Sequence, residues 1–387
     1  DGSITTSNGA PSLTNQYIIQ VSPGVYQERV NLPPYVSLRG EGTNITYIKS
    51  VKGGSSVQNS ALITAGSTST IENLTLDLNS STEDYITGIY SSSNSNISIR
   101  NVNVVDSGSS SGTASYGIYL SGGSGHKITE YDTTLDLGST AVYGGYITNT
   151  NPYIDNNKVS ITANTTNNYG FYFDTMSSSG TDVKNSEITV SGASNNYGIY
   201  HNNALSTTRF SRIIVDGDTN NSTDTAYGIV GNSSTTSANI TSNKLEFIAN
   251  SNAKDVIYLT DTSSNNFSTD GFKEGMIITV SGSSNNNNNY TINQVQANTL
   301  VLSENDTLTS EGAGSSITIK QLYTINIEHS HINATSNGTA LSNSIAVLSS
   351  SGNYAINSYS TSLLGGHPNA NSSVIRFNTD KVITEGP

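Results

Sequence analysis

The chain has no cysteine and no tryptophan, and only 2 methionines and 7 prolines in 387 residues. Without cysteine there are no disulfides, no thiolate metal ligands and no cysteine nucleophile, and the redox compartment stays open. Charge is also scarce: Asp, Glu, Lys and Arg make up 12% of the chain, about half the quarter usual in soluble proteins. Lys and Arg number 16 against 29 Asp and Glu, giving a net charge of −13 and a pI near 4.6. No basic face can be assembled to neutralise phosphates, so nucleic acid is not an expected partner. No apolar run approaches the roughly 20 residues a spanning helix needs, so membrane insertion is not expected either. The sequence opens at Asp1 with neither Met nor a basic, apolar leader. That fits a mature secreted chain, extracellular or at the cell surface, with a virion surface as the alternative.

What is abundant is polar and repetitive. Ser, Thr and Asn together supply about two fifths of the residues, and 22 Tyr are spread among regularly spaced Ile and Val. A four-residue motif recurs: Tyr116-Gly-Ile-Tyr119, Tyr143-Gly-Gly-Tyr146, Tyr169-Gly-Phe-Tyr172, Tyr197-Gly-Ile-Tyr200 and Tyr227-Gly-Ile-Val230, with variants at Thr87 to Tyr90 and Asp255 to Tyr258. The period is about 26 to 30 residues, the range of solenoid repeats. Between copies lie alternating apolar segments such as Ile97 to Val104 and Asp182 to Val190. Each unit reads as about three short strands separated by Asn, Gly and Ser clusters, which tolerate left-handed backbone.

No segment has the 3.6-residue apolar period of a helix. A strand-only repeat cannot bury its apolar face alone, so copies must stack. The expected fold is all-β, a right-handed parallel β-helix of about 11 coils. At a spacing of ~4.8 Å per coil it would be a rod about 50 Å long. Alternation places Tyr116, Ile118 and Leu120 inward and Tyr119 outward. Stacking then predicts an inner column (Ile89, Ile118, Phe171, Ile199, Ile229, Ile257) and an outer ladder of Tyr90, Tyr119, Tyr146, Tyr172, Tyr200 and Tyr258.

The segment from Tyr17 to Ile48 departs from this repeat. It contains Val21-Ser-Pro-Gly-Val-Tyr-Gln-Glu-Arg-Val30 and Val36-Ser-Leu-Arg-Gly-Glu-Gly42. These closely resemble the first-coil pattern V-x-P-G-x-Y-x-E-x-V followed by V-S-L-x-G-x-G of the pectin-lyase-like β-helix superfamily, which includes pectin methylesterases. The resemblance covers about 32 residues and implies the fold. Non-enzymatic members share the same coil, so it does not imply an activity.

A second departure runs from Asn265 to Ile319, where hairpin-like strands surround an Asn run at Asn285 to Asn289. It reads as a small inserted β-barrel or sandwich. The expected organisation is an extended tail over 1–16, the β-helix over 17–263, the inserted module over 264–320 and further coils over 321–387.

The resemblance directs a search for pectin-active machinery. Pectin methylesterases set two Asp, an Arg and Gln side chains on neighbouring coils; no later motif of theirs follows residue 48. The polygalacturonase series is also missing. Asn378-Thr-Asp380 has nothing after it, Gly125-His126-Lys127 has no partners, and no Asp-Asp pair occurs. Lyases of this fold need a calcium-binding acidic cluster with an arginine base, and Arg is rare here. These motifs argue against an enzyme without deciding the matter. If there is an activity, it would be a polysaccharide lyase, hydrolase or esterase.

Other candidates are set against plainer readings. His329 and His331 could ligate zinc, but their only neighbouring third ligand, Glu328, falls on the opposite face. Asp132 with Asp136, or Asp216 with Asp218, could hold calcium, against the plainer role of solvated turn acids. No catalytic residue, metal or cofactor is assigned. Asn-x-Ser/Thr sequons occur about as often as chance gives in so Asn-, Ser- and Thr-rich a chain; Asn44 and Asn333 are acceptor sites if the chain is secreted.

The tyrosine ladder carries three readings: a carbohydrate-stacking platform, a protein interface, or simple coil-to-coil stacking. The stretch before Tyr17 holds Gly2, Gly9 and Pro11 and cannot form a stable capping helix, so open β-helix ends are expected. Open strand edges recruit further strands, and a contact between unlike ends propagates. The function expected is a non-enzymatic extracellular structural protein, a self-associating subunit of a surface filament, fibre or adhesive layer. Its partners would be copies of itself, head to tail, and glycans. The alternative is a phage tailspike-like or secreted polysaccharide-binding β-helix, with or without depolymerising activity. A third is a pectin-type esterase or lyase.

Overall fold

The computed structural model describes residues 9–49, 54–78, 84–106, 112–175, 181–202, 204, 206–217, 224–232, 238–251, 253–272, 274, 276–303, 306–336, 342–347, 353–359, 362–366, 375–377 and 382–385. One turn shows the plan. Strand Ala114–Ser121 leads through Gly122, Gly123 and Gly125, all at positive φ, into Lys127–Leu135, and the chain then returns to Ala141–Thr148. Each strand pairs in parallel with its counterpart a turn away, as in Tyr119↔Tyr146 and Ile128↔Ile154. The result is a parallel β-solenoid. One of its sheets holds ten strands taken in order from successive turns, a little fewer than the roughly 11 coils expected.

The turns stack because each places the same kind of side chain at the same height. The inner column Ile63, Ile89, Ile118, Gly145, Phe171, Ile199, Ile229 and Ile345 follows the register turn by turn. Its isoleucines and Phe171 are fully buried. Gly145 sits against the large Phe171 ring, 2.7 Å from where a Cβ would be. Small beside large keeps the column at uniform width.

The second sheet face bends at a left-handed residue in seven successive turns: Asn73, Asn101, Glu130, Asn156, Asn185, Phe210 and His329, all with φ between 47° and 57°. Asparagine suits this because its short polar side chain tolerates the left-handed region. Asn101 also donates from Nδ2 to Oδ1 of Asn73 on the preceding turn at 2.8 Å.

The solenoid is interrupted after Thr225–Asn232. The next strand in that sheet is Ser342–Val347, and Ser206–Arg209 pairs with Ile325 to Glu328. The intervening residues build a second core from Ala238 to Ile319. Strand Asn239–Ser242 pairs antiparallel with Ile317–Glu328, and Leu245–Ile248 forms a hairpin with Val256–Leu259. These strands lie upstream of residue 264, where the module was expected to start. Ile317–Glu328 belongs to both bodies, antiparallel at its start and parallel to the solenoid at its end.

Two sequence expectations are corrected. Ile257 and Tyr258 are not in the solenoid columns. Ile257 packs in the second core, and Tyr258 lies opposite Glu246 and Thr299. Asp255-Val-Ile-Tyr258 keeps the spacing of the repeat but lacks its glycine. Tyr116, expected inward, shares the outer side with Tyr119, because the strand bends at Gly117 and Ile118.

Candidate functional site: a tyrosine spine and an open first turn

The bend explains why the motif is Tyr-Gly-x-Tyr. In a flat strand, residues three apart face opposite sides. Here Gly117 and Ile118 both turn inward. A Cβ on Gly117 would lie 2.6 Å from the Gly144 carbonyl, and one on Gly144 would lie 2.6 Å from that of Gly170. Only glycine permits this coil-to-coil approach. With the bend in place, both tyrosines of each motif emerge on one side.

The rings form two columns. Tyr90, Tyr119, Tyr146, Tyr172 and Tyr200 stack with centroids 5.0–5.5 Å apart. Tyr116, Tyr143, Tyr169, Tyr197 and Tyr227 stack at 4.8–5.4 Å. Between columns the rings meet edge to face at about 5.1–5.3 Å. The herringbone satisfies the ring quadrupoles in both directions. Burial pushes the Tyr143 hydroxyl up to about 12. Burial first, then neighbouring tyrosines and Asp174, push those of Tyr146 and Tyr172 higher still. Burial thus favours the neutral phenol at Tyr143, Tyr146 and Tyr172.

This geometry bears on its use. A sugar stacks on an open aromatic face, but both faces of Tyr119, Tyr146 and Tyr172 are covered by the rings above and below. What the column turns outward is ring edges and hydroxyls. The second column, Tyr116 to Tyr227, was not anticipated; its signal was the first Tyr of each motif, three residues before the ladder Tyr.

The broad face of the other sheet is charged, and its charges meet across turns. Glu72 has a nearly buried carboxylate gripped by Arg39 and Arg100. Burial raises its pKa, but the hydrogen bonds and charges of the two guanidiniums outweigh that and leave it lowered. Arg212 pairs with Glu187 at 2.7 Å, and Arg209 lies 3.4 Å from Glu328. A polar groove of about 630 Å3 on this face is lined by Glu130, Asp132, Asn157, Lys158, Asn185 and Glu187. Burial and the Glu187 charge raise the Asp132 pKa against the opposing pull of Lys158. The sequence reading missed this groove, which was encoded in the one-per-turn column Asn103, Asp132, Lys158, Glu187. A second cavity of about 720 Å3 in the module includes Asp255 and Asp306. Their carboxylates accept backbone N–H groups of Leu308 and Thr291, a structural role.

The remaining candidates separate. The His329 ring stacks on Phe210 at 5.1 Å, while His331 lies in register with Arg212. The Asp136 N–H donates to Asp106, Asp216 accepts from the Thr335 hydroxyl at 2.6 Å, and Asp218 lies outside the described residues. Among the described residues no group of three or more His, Asp or Glu is arranged to hold a metal ion. Asn44 is exposed in a turn, and Asn333 lies within strand His331–Thr335. Asn378 to Asp380 lie outside the described residues.

The first turn is unlike the others. Ile19 is in register with Leu38, a core residue, yet is 39% exposed, because no described strand covers it on the other side. Ile18, Val25, Ile45 and Leu13 are also exposed at this end. Among the described residues, strands Tyr17–Val21, Gly24–Tyr26 and Val30–Leu32 pair on one side only.

No family profile and no curated protein matches the chain. Among solved structures, pectin methylesterase PemA from Erwinia chrysanthemi aligns over 53% of this chain and 72% of its own, at 13% identity and a TM-score of 0.30. The mannuronan C-5 epimerase AlgE4 A-module from Azotobacter vinelandii aligns over 99% and 95%, at 11% identity and a TM-score of 0.38. The parallel β-solenoid rests on this chain's own strand pairing. At such identities and scores the likeness says nothing of activity.

Proposed function

We propose that this chain is a non-enzymatic structural β-solenoid that self-associates end to end, as a subunit of an extracellular or cell-surface filament, fibre or adhesive layer. The observation that carries the reading is the open first turn, where Ile19 faces the core axis and remains 39% exposed. Fully burying an exposed side chain of this size contributes about 1.5–3 kcal/mol, of which covering the remaining exposed part of Ile19 supplies a fraction; Ile18, Val25 and Ile45 are further exposed apolar residues of the first coils. A parallel strand has complementary edges, so the outer edge of a last turn can receive the free edge of a first turn without changing direction. In the described C-terminal strands, Val382–Glu385 pairs only with Asn353–Tyr359. The tyrosine spine and the cross-turn ion pairs stiffen such a rod.

Sedimentation velocity over a wide concentration range tests this. Association that grows with concentration and is lost in Ile19→Lys is expected; monomers at every concentration would refute it. The alternative, polysaccharide binding, draws its support from the groove around Asp132 and Glu187 rather than from the tyrosine ladder. Glycan binding lost in Asp132→Ala and kept in Tyr119→Ala would favour it.

A further inference from the structure

The tyrosine columns bring ten phenol rings into contact over consecutive turns, and the hydroxyl of one of them, Tyr146, meets a carboxylate. Tyr146 Oη donates to Oδ2 of Asp174 at 3.4 Å. Asp174 closes strand Asn167–Asp174 and is held by Asn202 Nδ2 at 2.7 Å and the Thr175 hydroxyl at 3.1 Å. A carboxylate here serves oxidation of the ladder in two ways. Its negative charge stabilises a positive hole on the nearest rings, and it accepts the proton that an oxidised phenol must lose.

We propose that the spine is a selective one-electron oxidation site, in which oxidising equivalents entering at any ladder ring settle on Tyr146. An external one-electron oxidant removes an electron from an outer ring edge and is itself reduced. Electrons then pass ring to ring between neighbours about 5.0 Å apart until the vacancy rests on Tyr146. There the O–H bond breaks, the proton goes to the Asp174 carboxylate, and a neutral tyrosyl radical remains. The balance is one electron to the oxidant and one proton to Asp174.

The molecule carries its own comparison. Tyr153 is 38% exposed, and its hydroxyl donates to Asp155 at 2.6 Å, a shorter bond than that of Tyr146. It stands outside both columns, however, and the Lys184 ammonium lies 4.5 Å from its ring centroid. A cation over the ring face opposes the loss of an electron from it. Exposure and hydrogen bonding alone therefore favour Tyr153, whereas stacking and charge favour Tyr146.

The test uses the intact chain and a photogenerated ruthenium(III) tris-bipyridyl oxidant, with persulfate as electron acceptor. Spin-trapped radicals are mapped by peptide mass spectrometry and followed by electron paramagnetic resonance. The expected result is trapping concentrated at Tyr146, lost in Tyr146→Phe and redistributed in Asp174→Asn, with strand circular dichroism unchanged. Oxidation that follows solvent exposure, led by Tyr153, would overturn the proposal, and so would an Asp174→Asn pattern identical to wild type. The wild-type map decides between the two tyrosines even if a variant fails to fold.

Discussion

His201 offers the sharpest perturbation, because the fold buries an imidazole where its neighbour in register is Phe173. The two rings stack at 5.2 Å, and His201 is fully buried. Burial lowers its pKa from the ordinary 6.5 to about 3. In the unfolded chain His201 protonates near pH 6.5; in the folded chain it stays neutral until about pH 3. Between those values the unfolded state binds the extra proton, so stability is full above pH 6.5 and is lost as pH falls toward 3. At about 1.4 kcal/mol per pH unit, the loss is about 3 kcal/mol at pH 4.5 and about 5 kcal/mol by pH 3. His201→Phe removes the titration and extends the Phe173 ring contact. Urea unfolding of both proteins at pH 7 and pH 4.5 gives the comparison. Every other titrating group, His126 included, is common to both and cancels in the difference. The variant should gain about 3 kcal/mol on wild type between the two pH values. Equal pH slopes would show that His201 is not buried neutral, and the inward register of Asn195–Asn202 would be wrong.

Three other perturbations probe separate parts of the molecule. Gly144→Ala places a Cβ against the Gly170 carbonyl and Val159; such overpacking costs about 1–3 kcal/mol and should lower the thermal midpoint, while Ala at exposed Gly312, with open space around it, should not. Tyr119→Ala removes stacking on both Tyr90 and Tyr146 and should cost about 1–3 kcal/mol in chemical unfolding, with Tyr119→Phe close to wild type. Glu72→Gln leaves two guanidiniums without a counter-charge. Since both are partly solvated, about 1–2 kcal/mol is expected, and the variant should lose less stability than wild type as pH falls below the usual carboxylate range, because the lowered pKa of Glu72 makes that stability dependent on ionisation.

The solenoid was legible in the sequence because its repeat is carried by side chains that must face one another. Tyr-Gly-x-Tyr recurs every 26 to 30 residues, and the structure sets these copies side by side from Tyr90 through Tyr200. The direction of Tyr116 was not legible. Simple alternation assumes a straight strand, whereas Gly117 is turned toward the Tyr131 hydroxyl and the Gly144 carbonyl, contacts made only in the folded solenoid. Tyr258 misled for a related reason: the spacing of Asp255 to Tyr258 mimics the repeat, while pairing with Leu245–Ile248 draws that strand into the inserted module, with Ile257 in its core. The groove at Asp132, Lys158 and Glu187 escaped notice because it joins one residue from each of several turns. No local window contains it, and it appears only once the register is known.

End-to-end association is the central claim, and the cysteine-free chain permits a direct test. Ile45→Cys places a single thiol beside the open first turn, where Ile45 is 48% exposed, and a photoactivatable cross-linker attached there records what lies against it. Cross-links to a second copy within 353–385 are the predicted result. Cross-links confined to another first turn, or none between copies at any concentration, would contradict it.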